Sequence, residues 1–151
     1  MPCEESVSLN NYSTCETPFE DDKKQARKRL SKVQKKLKQL QELLYADKKR
    51  ALLVVFQAMD TGGKDGSIRK VFGPLNPQGV RVSNFKQPSA EELAHDYLWR
   101  IHKSVPAKGM IGIFNRSHYE SLLVERVHQL TPVAEIEQRY EQINNFERFL
   151  S

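Results

Sequence analysis

The chain has 151 residues and a mass of 17.5 kDa, room for one domain of ordinary size. Hydrophobic residues make up 38% and charged residues 28%, which is polar for a globular protein but not a disordered composition. Net charge is +5, yet residues 1–22 hold six acids and no Lys or Arg, residues 23–50 hold twelve basic residues against Glu42 and Asp47, and residues 51–151 are nearly balanced.

No apolar run approaches the roughly 20 residues that span a bilayer. Met1 to Asn10 lack the basic and apolar regions of a secretory signal. Cys3 and Cys15 are too few for a disulfide scaffold and lack metal-ligand spacing. The expectation is a cytoplasmic protein with no membrane partner and no specific nucleic-acid partner.

Residues 1–22 read as a flexible acidic tail. Residues 23–50 are a basic segment, and 23–46 within it reads as one helix. Leu30, Val33, Leu37, Leu40 and Leu44 recur at spacings of three and four, which places an apolar stripe on one side. Asp21 or Asp22 can cap its start. Residues 51–57 form a short apolar, β-branched run, predicted as the buried central strand of a parallel sheet. A Gly-rich turn follows, then a helix over about 66–72 that Gly73-Pro74 ends. Residues 80–85 read as a second strand. Ser89 with Glu92 forms a capping box, predicted to open a helix that continues to about Lys103. Residues 110–114 read as a third strand. Pro132 opens a last helix with Ile136, Tyr140, Ile143 and Phe146 on its apolar side. Strands alternating with helices predict an α/β domain over 51–151 with a parallel sheet. His95, His102, His118 and His128 show no ligand spacing and read as structural or solvated.

The chemistry concentrates between the first strand and the helix after it. Ala58-Met59-Asp60-Thr61-Gly62-Gly63-Lys64-Asp65-Gly66-Ser67 has the place and spacing of a phosphate-binding loop. Gly62 and Gly63 let backbone N–H groups approach an anion, and Lys64 supplies a mobile positive charge. The strict pattern is not met, because Ala58 replaces the first Gly and Asp65 the Ser or Thr. The bland alternative is a Gly-rich turn with a solvated lysine. Asp60 inside the loop would repel phosphate unless a cation lies between, which points to Mg²⁺. At the end of the third strand, Asn115 could hold the metal or its water, and Arg116 could offset charge on a transferred phosphoryl group; the bland alternative is that Arg116 pairs with an acid and Tyr119 packs. Lys86 ends the second strand on the same sheet edge. Arg100 reads either as a further cation or as an i,i+4 partner of Asp96.

Gln57-Ala58-Met59-Asp60, Gly63-Lys64-Asp65-Gly66, Asn76-Pro77-Gln78-Gly79, Phe85-Lys86-Gln87-Pro88, Glu91-Glu92-Leu93, Leu98-Trp99-Arg100 and Phe114-Asn115-Arg116-Ser117-His118-Tyr119 occur in order. Together they resemble the second polyphosphate kinase family, over about residues 23–151. The resemblance implies a P-loop kinase of three-layer αβα build. It implies Mg²⁺-dependent phosphoryl transfer between inorganic polyphosphate and a nucleoside mono- or diphosphate, with an AMP- or ADP-type acceptor. It assigns Asp60, Lys64 and Arg116 as catalytic and Asp60 and Asn115 as metal-holding. Gly62, Gly63, Lys64, Asp65, Gly66, Ser67 and Lys86 become phosphate-binding. Relatives continue past the equivalent of Ser151, so the C-terminal strands and lid are expected to be missing, and a full-length version is expected to be a homo-oligomer. Two alternatives stand beside this reading: an inactive polyanion- or nucleotide-binding remnant, and another P-loop nucleotide kinase that uses ATP.

Overall fold

A computed structural model describes Asn10, residues 22–129 and residues 131–151. The acidic tail expected over 1–22 therefore lies outside the described residues, apart from Asn10 and Asp22. The first helix, α1, spans Lys23–Asp47. The Asp22 side chain caps it by accepting from the Lys24 N–H at 2.7 Å.

The docked face of α1 differs from the predicted stripe. Leu37 and Leu44 pack on the core, but Gln41 is the buried residue between them. Its amide donates to the Asn76 carbonyl at 2.7 Å and accepts from the Asn76 N–H at 3.0 Å. One turn above Leu37, Gln34 donates to the Lys70 carbonyl. Val33 and Leu40, expected on the seam, are 52% and 51% exposed. Backbone groups on the facing surface draw the glutamines inward, because a buried N–H or C=O left unpaired costs more than an exposed leucine.

The other elements follow in chain order: β1 (Leu52–Phe56), α2 (Lys64–Phe72), a 3-10 turn (Pro77–Gly79), β2 (Val80–Asn84), α3 (Ala90–Leu93), α4 (Trp99–His102), β3 (Ile111–Asn115), α5 (Glu120–Val127) and α6 (Val133–Leu150). All three strands are parallel in the order β1-β3-β2. Among the described strands the central one is thus β3, not the 51–57 run predicted for that place. Ile111, Gly112, Ile113 and Phe114 are all buried, whereas β1 is only half-buried. Hydropathy reports the faces of a strand, not its neighbours in the sheet, so it could not order them.

Side-chain alternation along β3 splits the core in two. Ile111 and Ile113 pack with Ile68, Leu75 and the α1 leucines. Phe114 packs with Phe85, Ile101 and Phe146 on the opposite face. Helices therefore cover both faces, giving the αβα layering. Among the described residues no helix is long and apolar enough to cross a membrane.

Two helical expectations change. The helix opened by the Ser89–Glu92 capping box stops at Leu93 and resumes as α4. Between them the Asp96 side chain accepts from the Leu98 N–H at 2.9 Å, a local turn that competes with the helix. Arg100 consequently does not pair with Asp96; it donates to the Lys86 carbonyl at 2.9 Å and lies 3.6 Å from Glu92. On α6 the buried positions are Ile136, Arg139, Ile143 and Phe146, while Tyr140 is 39% exposed. Arg139 is admitted because Glu125 and Glu135 meet it at 2.7 and 2.8 Å and the Ser121 carbonyl at 3.0 Å. Burial disfavours its charge, and the two carboxylates outweigh burial, so its pKa is raised overall. Helix α5, which packs against α6, had no counterpart in the sequence reading, since eight residues are too few for a period to emerge.

His118 is buried as a structural residue. Its Nε2 lies 3.3 Å from Glu147, which also accepts from the Tyr119 hydroxyl. Burial lowers the His118 pKa, with Glu147 opposing. Burial, reinforced by Glu147, pushes Tyr119 up to about 12.

Charge placed on the docked seam should unfold the chain, and charge on the exposed one should not. Leu37→Glu is expected to cost about 2 kcal/mol or more, and Leu40→Glu to leave the melting temperature within about 2 °C. Equal effects in thermal denaturation would contradict the seam. Because His118 binds a proton less readily folded than unfolded, stability should be full above the ordinary histidine pKa and fall as pH drops below about 6.5. His118→Gln should flatten that loss between pH 7.5 and 5.5; an unchanged slope of melting temperature against pH would remove His118 as its source.

Candidate functional site

Parallel strands deliver their C-terminal ends to one edge, and the functional loops gather there. The backbone of β1 continues into residues 57–63 and then into α2, whose N-cap is Gly63 at φ +80°. That left-handed conformation suits glycine. Gly62 is required for a different reason: a Cβ there would lie 2.9 Å from both the Ala58 Cβ and the Met59 carbonyl oxygen. The departure Ala58 thus fits the loop because its methyl group faces a glycine.

The loop's donors divide into two sets. The Gly62 N–H donates to the Met59 carbonyl at 3.1 Å, and the Ser67 N–H to the Gly63 carbonyl at 2.9 Å. The N–H groups of Gly63, Lys64, Asp65 and Gly66 have no acceptor among the described residues. They form the anion-facing first turn of α2, strengthened by the helix dipole. Ser67, expected to bind phosphate, donates its N–H to the helix and does not line the cleft.

A cleft of about 500 Å³ opens over this turn, lined by Asp60 and residues 61–66 on one side and by Asn84–Gln87, Asn115 and Arg116 on the other. Lys64, Lys86, Asp60, Asn115 and Arg116 therefore come together as expected. Lys64 does not simply project into solvent. Its Nζ donates to the Ala58 and Met59 carbonyls at 2.7 and 2.8 Å, so the lysine also braces the loop.

Arg116 is held in a left-handed backbone conformation, φ +63°, with its N–H donating to the Phe56 carbonyl at 2.9 Å. Its guanidinium reaches across the cleft to the Asp60 carboxylate and also lies 3.3 Å from Glu120. Glu120 in turn accepts from the Gln57 amide at 2.5 Å, and Gln57 accepts from the Ser117 hydroxyl at 3.2 Å. Arg116 thus pairs with acids, as the bland alternative had it; the roles of Gln57, Ser117 and Glu120 behind it were not expected, and the i,i+4 spacing of Arg116 and Glu120 was the available signal.

Asp60 and Asn115, expected as a metal pair, do not share a contact. Asp60 engages Arg116, while the Asn115 amide donates to Asp65 at 2.5 Å and to Asn84 at 2.8 Å. Among the described residues no group of three or more His, Cys, Asp or Glu could hold a metal. A cation carried on phosphate needs only one or two protein oxygens. Asp60, whose side chain is 82% exposed, and the Asn115 Oδ1 suit that lesser demand.

Comparison with known proteins gives the family and the overall fold. Residues 20–151 match the family described as Polyphosphate kinase 2 (PPK2). The chain is 53% identical over 133 residues to an AMP/ADP-polyphosphate phosphotransferase of Meiothermus ruber, covering 88% of this chain and 50% of that protein. It is 48% identical over 124 residues to an ADP-polyphosphate phosphotransferase of Rhodopseudomonas palustris, covering 82% and 43%. It superposes on the crystal structure of polyphosphate kinase 2 from Arthrobacter aurescens TC1 with a TM-score of 0.93 at 43% identity, covering 98% of this chain and 54% of that one. The chain thus spans about half the length of the curated relatives it matches.

The Asp60–Arg116 contact generates a test. Asp60→Asn removes the counter-charge from Arg116, so metal-free binding of tripolyphosphate should tighten by about fivefold. The gain that added Mg²⁺ gives the wild type should shrink in the variant. Calorimetric titration in EDTA and in Mg²⁺ checks both arms; an unchanged metal-free affinity would show that Asp60 does not restrain Arg116.

Proposed function

The chain belongs to the polyphosphate kinase 2 family, and on that footing we propose that it carries the phosphoryl-transfer site of a Mg²⁺-dependent polyphosphate:nucleotide phosphotransferase with AMP or ADP as acceptor. The observation that carries the reading is the convergence on one cleft of Lys64, Lys86, Arg116 and the N–H groups at the start of α2 that are unpaired among the described residues. The names of the Meiothermus ruber and Rhodopseudomonas palustris relatives support the substrate class.

Phosphoryl transfer asks a protein chiefly to position phosphates and offset charge. In this reading the free N–H groups of Gly63 to Gly66 hold a non-transferred phosphate. Lys64 moves from the loop carbonyls to that phosphate, exchanging one set of acceptors for another. Arg116, released from Asp60, contacts the phosphoryl group in flight, and Lys86 covers the acceptor side. A terminal oxygen of the acceptor forms a bond to the end phosphorus of polyphosphate, the bridging P–O bond breaks, and the chain leaves one unit shorter with the electron pair on its new terminal oxygen. Asp60 and Asn115 would hold Mg²⁺, which would supply positive charge to offset that of the phosphate oxygens.

β1 has β3 on one side and no strand on the other among the described residues. Its Leu53 and Val55 are half-buried against the α6 end of the second core cluster. We propose that full activity needs this edge covered. The test compares the 151-residue chain with the same chain joined to the C-terminal half of the Meiothermus ruber relative, following ADP and ATP formed from polyphosphate plus AMP. Polyphosphate binding by both and transfer at least about tenfold faster in the joined form are expected. Transfer from ATP but not from polyphosphate would favour an ordinary nucleotide kinase, and no transfer by the joined form would overturn the reading. Lys64→Ala in the joined form should lower transfer by about a hundredfold or more; near-wild-type activity would remove Lys64 from the mechanism.

A further inference from the structure

We infer that Asn84 is a phosphate-contacting residue of the cleft, presenting an outward amide donor whose direction is fixed by Asp65 through Asn115. The inference rests on the proposed function and adds a residue to its site. Asn84 ends β2 and Asn115 ends β3, and the parallel register pairs them directly. Asp65 occupies the first turn of α2 beneath them. All three line the cleft.

The hydrogen bonds among them run one way. A carboxylate can only accept, so the Asn115 group that meets Asp65 at 2.5 Å must be its NH2. The second hydrogen of the same NH2 goes to Asn84 at 2.8 Å, which obliges Asn84 to offer its Oδ1. Rotating either amide by a half-turn would set donor against donor or acceptor against acceptor. The two remaining polar atoms are thereby determined. The Asn115 Oδ1 and the Asn84 Nδ2 have no partner among the described residues, and Asn84 is exposed at the cleft rim.

An acceptor and a two-hydrogen donor side by side fit a ligand that carries a cation and an anionic oxygen together. A phosphate bearing hydrated Mg²⁺ has that character: the Asn115 Oδ1 would face the cation or its water, and the Asn84 Nδ2 would donate to a phosphate oxygen. The Asp65 carboxylate therefore orients both amides without itself meeting the phosphate, which the Asp65 backbone N–H faces. This also accounts for an acid at a position where the strict loop pattern has Ser or Thr: its charge is spent on the Asn115 NH2.

The experiment uses the 151-residue chain and inorganic tripolyphosphate with Mg²⁺. Asn84→Ala should weaken binding by about tenfold, the loss of one charge-assisted hydrogen bond. Asn84→Asp still accepts from Asn115 but turns the outward donor into an acceptor. It should weaken binding more than Gln87→Glu, which adds the same charge to the same rim. In the wild type, the Asn84 side-chain amide protons should move downfield in 15N-correlated spectra on titration, a readout that needs no variant to fold. Asn84→Ala binding within about twofold of wild type, or unmoved Asn84 amide protons, would overturn this inference alone. Failure of the wild type to bind tripolyphosphate would overturn it together with the proposed function.

Discussion

The cleft hangs on the register of β1 against β3. Phe56 lies opposite Asn115, and the ladder is extended by the Arg116 N–H donating to the Phe56 carbonyl. Because strand side chains alternate, a slip of one residue would turn Asn115 away from α2 and bring Phe114 toward it. With the register fixed, the chain leaving β1 supplies Gln57, Asp60 and the loop, and the chain leaving β3 supplies Arg116, Ser117 and Glu120. The hydrogen bonds between these two segments join residues about sixty positions apart in sequence. Packing of Ile111 and Ile113 on one face and Phe114 on the other holds β3 in place, so the hydrophobic core sets the position of the polar site.

The cleft is nearly self-neutralised. Lys64 is turned onto loop carbonyls, Arg116 onto Asp60 and Glu120, and the Asn115 NH2 onto Asp65. Each of these contacts keeps a charged or polar group oriented without a ligand, and each is partly exposed, so exchanging it for a phosphate oxygen is not prohibitive. The backbone donors at the start of α2 differ: they have no partner among the described residues to give up. An anion thus meets them first on energetic grounds, and the side chains follow by exchange.

Much of the site was legible in the chain. Gly62-Gly63-Lys64 between an apolar strand and a helix announces an anion loop because few other sequences give backbone N–H groups free of Cβ hindrance beside a mobile cation. Asn115-Arg116 at the end of another apolar strand reads the same way. Less legible were the roles within the group. Ser67 sits one residue too deep in the helix to keep a free N–H, Lys64 braces its own loop, and Asp60 faces Arg116 rather than Asn115. Asn84, Gln57 and Glu120 carried little signal, since a polar residue at a strand end or on a short helix is common and its partners are distant in sequence.

What the sequence by itself determined is therefore local. Hydrophobic period fixed the existence of α1, three strands and α6, the capping box fixed the start of α3, and glycine placement fixed the loop. What only the tertiary structure decided is pairwise and long-range. β3 rather than β1 is central; Gln41 rather than Leu40 faces the core; and Asp65 sets the direction of two amides. The physical reason is that burial, strand order and hydrogen-bond direction belong to groups brought together by folding, and a pattern read along one chain contains no term for the neighbour that a residue will meet.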